Sequence, residues 1–107
     1  MRANANTCLA ALAAAVTGLL TAADAGARDI SRGEILSMSC FACHGTDGRS
    51  ASDIPPIYGI PADVLYHRLK AFKEGKTLST VMGRHAAGYS DADLRAIADY
   101  LAGLRRR

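Results

Sequence analysis

The pentapeptide Cys40-Phe41-Ala42-Cys43-His44 does most to limit what this chain can fold into. Two thiols spaced in this way serve three unrelated chemistries: dithiol redox exchange, zinc binding and covalent attachment of haem. Each needs a different surrounding. A redox pair sits at the mouth of a βαβ unit, just after a strand. Zinc needs a second set of ligands to complete a tetrahedron. Haem needs an apolar pocket with an axial ligand from the protein.

The chain offers no second cysteine pair. Its only other cysteine, Cys8, lies in an N-terminal segment built like a secretion signal: Met1-Arg2, an apolar run from Leu9 to Leu20, then small residues at Ala23, Ala25 and Ala27. The run falls short of the ~20 apolar residues of a bilayer span. Residues 1–25 are therefore expected to be a cleaved leader, with cleavage after Ala25 or Ala27, and residues 26–107 a single domain exported to the periplasm, with no stable membrane insertion. Cys8 precedes the apolar run instead of following it, which argues against a lipid anchor. Removing 25 or 27 of the 107 residues leaves 82 or 80, a size at which an apolar core alone is marginal. A Cys40–Cys43 bridge would close too small a loop to help, so a cofactor is the natural staple. The formal charge of +3 survives cleavage, because Arg2 and Asp24 leave together. Much of the excess is in Arg105, Arg106 and Arg107, which read as solvated charge complementing a helix dipole, with docking of an acidic partner as the alternative. There is no Trp, and a nucleic-acid partner is not expected.

Three helices are legible, and the expected fold class is all-α, with two long loops at 45–60 and 76–89. The first helix opens at Ser31, where Ser-Arg-Gly-Glu has the capping-box form. Leu36, Cys40 and Cys43 follow at i, i+4 and i+7, which places both cysteines on its apolar face. The second begins at Pro61 as its first helical residue, carries Leu65, Leu69 and Phe72 as a stripe, and stops at Gly75. The third opens at Ser90 in a second capping-box pattern and carries Leu94, Ile97, Ala98, Leu101 and Leu104. Neither loop alternates like a strand. Loops this long suit a small domain wrapped around a large flat ligand.

Set against this frame, zinc lacks ligands and His44 is poorly placed beside Cys43 to close a tetrahedron. The redox reading lacks its strand. Covalent haem uses all three residues: Cys40 and Cys43 as thioether anchors and His44 as an axial nitrogen. A second axial ligand is expected from the 76–89 loop, with Met82, His85, His67 and Met38 as candidates. Met38 sits on the attachment side, and His67 lies among charged neighbours. Met82 is favoured over His85, since a methionine in a polar, glycine-rich loop has no core to fill. The other nitrogen of His44 needs an acceptor, and the carbonyl of Pro55, in Ile-Pro-Pro-Ile-Tyr-Gly, is at a suitable distance along the chain.

The segments SCFACHG, IPPIYG, AFKEGK and TVMGRHAAGYSDADL, in that order, resemble class I cytochromes c of the small bacterial type. Within that family, GEILSMSCFACHGTDG and STVMGRHAAGYSDADL are most similar to the haem subunit of flavocytochrome c sulfide dehydrogenase, and the chain is more distantly similar to cytochromes c4 and c553. The resemblance implies one haem c, with Cys40 and Cys43 as anchors, His44 as proximal ligand and Met82 as distal ligand. It also implies that the first and last helices cross closely at Gly33 and Tyr100. The expected function is electron transfer, not catalysis, with electrons accepted from a flavoprotein dehydrogenase partner. The alternative is a free shuttle between periplasmic redox proteins.

Overall fold

The computed structural model describes residues 28–106, and the side chain of Arg106 is not among what it describes. The expected leader, Cys8 and both cleavage positions lie outside the described residues. The described chain is all-helical: α1 (Arg32–His44), α2 (Ala62–Lys73), α3 (Met82–Ala87) and α4 (Asp91–Gly103). Single 3₁₀ turns occupy Thr46–Gly48 and Leu104–Arg106.

The helix starts follow the sequence. Ser31 Oγ accepts from the Glu34 N–H (3.1 Å), and Ser90 Oγ from the Asp93 N–H (3.1 Å), so each satisfies a donor that has no partner within its own helix. The end of α2 is a Schellman motif. Gly75, at φ +68, donates to Phe72, and Lys76 donates to Ala71. A residue with a Cβ would be strained at that φ. Pro61 differs from expectation by one position. It has ψ 135 and stands outside the helix, with its carbonyl accepting from Leu65, so it is the N-cap and not the first helical residue.

The segment 76–89 is not simply a loop, because it contains α3. Val81, the residue before α3, makes no side-chain cap, and the cap comes from Ser79, whose Oγ accepts from the Gly83 N–H (2.8 Å). With only six residues and glycines at Gly83 and Gly88, α3 carries too little periodicity to be read from sequence.

Packing centres on α4, which lies against α1 on one side and α2 on the other, while α3 rests on α2. Leu94, Ile97 and Leu101 are at most 1% exposed, and each contributes about 1.5–3 kcal/mol of burial. The α1–α4 crossing is closer than a helix pair with ordinary side chains allows. A Cβ on Gly33 would stand 2.2 Å from the Ala96 carbonyl oxygen and 3.0 Å from Tyr100 Cβ. The expected Gly33–Tyr100 pair is thus a triple contact, and the Ala96 backbone makes its tightest part. The segment between α1 and α2 is pinned by Ile57 N–H to Gly48 and by Gly59 N–H to Leu101 (2.9 Å each).

Asp91, the first residue of α4, accepts from Lys70 Nζ (2.6 Å) and Lys73 Nζ (2.9 Å). Lys70 first, then Lys73, holds its carboxyl below the usual carboxylate range. A pKa depressed by folding stabilises the fold above the unfolded value, and that contribution is lost as pH falls through the folded value. Asp91→Asn is therefore expected to lower the melting temperature slightly at neutral pH and to flatten the acid limb below pH ~4. An acid limb as steep as that of the wild type would contradict this role for the pair of lysines.

Candidate functional site

The last turn of α1 delivers Cys40, Cys43 and His44 to one wall of a cavity of about 640 Å³, within the ~300–1,000 Å³ typical of ligand pockets. Leu65, Leu69, Ile97 and Leu101 form apolar walls from α2 and α4. Pro55 and Ile57 line it from the pinned segment, and Met82 and His85 from α3.

Both cysteines line the cavity, Cys40 buried and Cys43 exposed. Burial pushes the Cys40 thiol up in pKa, the reverse of what a redox nucleophile needs. The two cysteines form no disulfide with each other.

His44 is buried, and its Nδ1 lies 2.6 Å from the Pro55 carbonyl oxygen. A carbonyl only accepts, so Nδ1 carries the proton and the Nε2 lone pair is left for another partner. Met82 is half-buried and packs against the core cluster, while His85 is exposed, with its ring set edge-on to Tyr89 at 5.6 Å. Met38 and His67 do not line the cavity. One cavity therefore gathers two thiols, an imidazole nitrogen with its tautomer fixed, a thioether sulfur and apolar walls. That donor set fits a flat iron macrocycle bearing two groups able to alkylate sulfur.

Residues 30–105 match the cytochrome c family. The chain belongs to the cytochrome c family. It is 52% identical over 77 residues to the cytochrome subunit of sulfide dehydrogenase of Chlorobaculum tepidum, covering 72% of this chain and 70% of that one. It is 37% identical over 78 residues to cytochrome c-554(548) of Halomonas halodenitrificans, covering 69% and 94%. With cytochrome c4 of Pseudomonas aeruginosa it shares 35% over 88 residues, covering 81% of this chain and 42% of that relative. The cofactor of this cytochrome is covalently attached haem c, and its role is electron transfer, not catalysis.

Sequence reasoning did not single out Ser39 or Tyr89. Ser39 also lines the cavity of this cytochrome, and its Oγ lies 2.7 Å from the Tyr89 hydroxyl. The signal was present only as position: Ser39 immediately precedes Cys40, and Tyr89 ends the segment that holds Met82.

Proposed function

We propose that this cytochrome is the haem subunit of a flavoprotein sulfide dehydrogenase and accepts single electrons from that partner in the periplasm. The observation that carries the reading is its 52% identity to a protein named the cytochrome subunit of sulfide dehydrogenase. Residues 1–25 would deliver the chain to that compartment. Among the described residues no helix is long and apolar enough to cross a membrane.

In this reading Cys40 and Cys43 would hold the haem through thioethers, and His44 Nε2 and Met82 Sδ would ligate its iron. Bound haem c supplies a one-electron Fe(III)/Fe(II) couple. The Pro55 carbonyl fixes the orientation of the His44 ring and makes its free nitrogen a better donor. The Met82 thioether is neutral and soft, which favours the ferrous state and raises the potential. Leu69, Ile97 and Leu101 exclude water and make the extra positive charge of the ferric state more costly. Support for Met82 over His85 is its packing against the core, where His85 stands exposed.

The test is isolation of the tagged holoprotein from the cells that make it, followed by addition of sulfide. The expected result is a co-purifying flavoprotein and a haem that turns ferrous with sulfide only when the flavoprotein is present. A monomer by sedimentation, with haem left ferric by sulfide and flavoprotein together, would instead assign a free shuttle.

A further inference from the structure

A helix as short as α3 has almost no stability of its own, yet it carries Met82. Its base is α2, and it is fixed at its far end by Tyr89, two residues beyond its last residue. The Tyr89 N–H donates to the Ala86 carbonyl (3.2 Å), and the Tyr89 carbonyl accepts from Lys73 Nζ (2.7 Å). Among the described residues two side-chain hydrogen bonds cross from this side to α1, and both end on Ser39 Oγ: the Tyr89 hydroxyl at 2.7 Å and His85 Nε2 at a long 3.5 Å.

Ser39 Oγ also lies 3.1 Å from the Leu36 carbonyl oxygen, which can only accept. Either hydroxyl can donate in the shorter contact with Tyr89. Ser39 stands one residue before Cys40, on the helix that carries both thiols and His44. A single hydroxyl thus ties the end of the Met82 helix to the haem-attachment helix.

The geometry points to Tyr89 as a positioning residue for the distal ligand: its hydroxyl, hydrogen-bonded to Ser39, holds α3 closed on α1 and keeps Met82 over the haem cavity. This rests on Met82 being the distal ligand. Tyr89 does not touch the iron and acts only through α3. Losing the bond lets α3 swing away more often, which exposes the iron to outside ligands without unfolding α1, α2 or α4.

Titration of the ferric holoprotein with imidazole, which binds iron only when Met82 has left it, reads that opening directly. Tyr89→Phe keeps the ring and removes the hydroxyl, and is expected to tighten imidazole binding roughly three- to tenfold. Ser39→Ala should give the same gain, the double variant no further gain, and Ser39→Thr should return the affinity to that of the wild type. A purely structural role would lower the melting temperature and leave imidazole affinity unchanged. Tyr89→Phe or Ser39→Ala binding imidazole like the wild type would overturn the inference, as would additive effects in the double variant. Failure of the underlying reading looks different. A wild-type ferric protein without the red-end methionine-to-iron charge-transfer band removes Met82 as ligand, and the positioning role with it.

Discussion

Gly33→Ala is expected to destabilise the protein by on the order of 3 kcal/mol. Two effects compete at this site. Alanine is the better helix former by about 1 kcal/mol. Against that, the new Cβ would stand 2.2 Å from the Ala96 carbonyl oxygen, with Ala96 C at 2.9 Å. These are backbone atoms, so no side-chain rotation relieves the clash, and α1 and α4 must separate along the crossing that buries Leu94, Ile97 and Leu101. The clash wins. For a domain of this size the melting temperature should fall by roughly 12 °C or more. Gly103→Ala is the matched control. Nothing lies within 4 Å of a Cβ there, so it should melt at or slightly above the wild-type temperature. Equal melting of Gly33→Ala and wild type would show that the crossing is looser than described.

Met82→Leu is expected to have the largest functional effect. Leucine nearly matches methionine in volume, so the packing of α3 should survive at a cost below about 1.5 kcal/mol. The thioether is lost, and with it the preference it gives to Fe(II). The potential should fall by on the order of 100 mV, and the methionine-to-iron charge-transfer band should vanish from the ferric spectrum. Protein-film voltammetry together with the ferric absorption spectrum checks both. A variant that keeps the wild-type band and potential would transfer the distal role to another residue, with His85, on the same cavity, next in line.

These two sites also mark where the sequence could be read and where it could not. Ser31, Ser90 and Gly75 announce their helix ends because capping is local: the residue and the backbone group it satisfies lie within a few positions. Leu94, Ile97 and Leu101 announce their burial because the 3.6-residue period is long enough there to register. The attachment pentapeptide is legible for the same reason, since Cys40, Cys43 and His44 work as one turn of helix. What depends on tertiary approach was less visible. That Gly33 meets Ala96 more tightly than Tyr100 depends on how α1 and α4 cross. The α3 helix was hidden because it is short and its cap, Ser79, stands apart from it. The Ser39–Tyr89 bond spans 50 positions, and neither residue type demands a partner at that distance.

The central claim is that His44 and Met82 are the two axial ligands of the haem held by Cys40 and Cys43. Proton–carbon NMR of the ferrous holoprotein with labelled methionine methyls tests it most directly. The sequence contains only Met1, Met38 and Met82, and Met38 is 57% exposed and outside the cavity, so it serves as an internal reference. The predicted result is one methyl shifted far upfield by the haem ring current, which disappears in Met82→Leu while the Met38 signal stays in place. A wild-type spectrum without an upfield methyl, or one whose upfield methyl survives Met82→Leu, would contradict it.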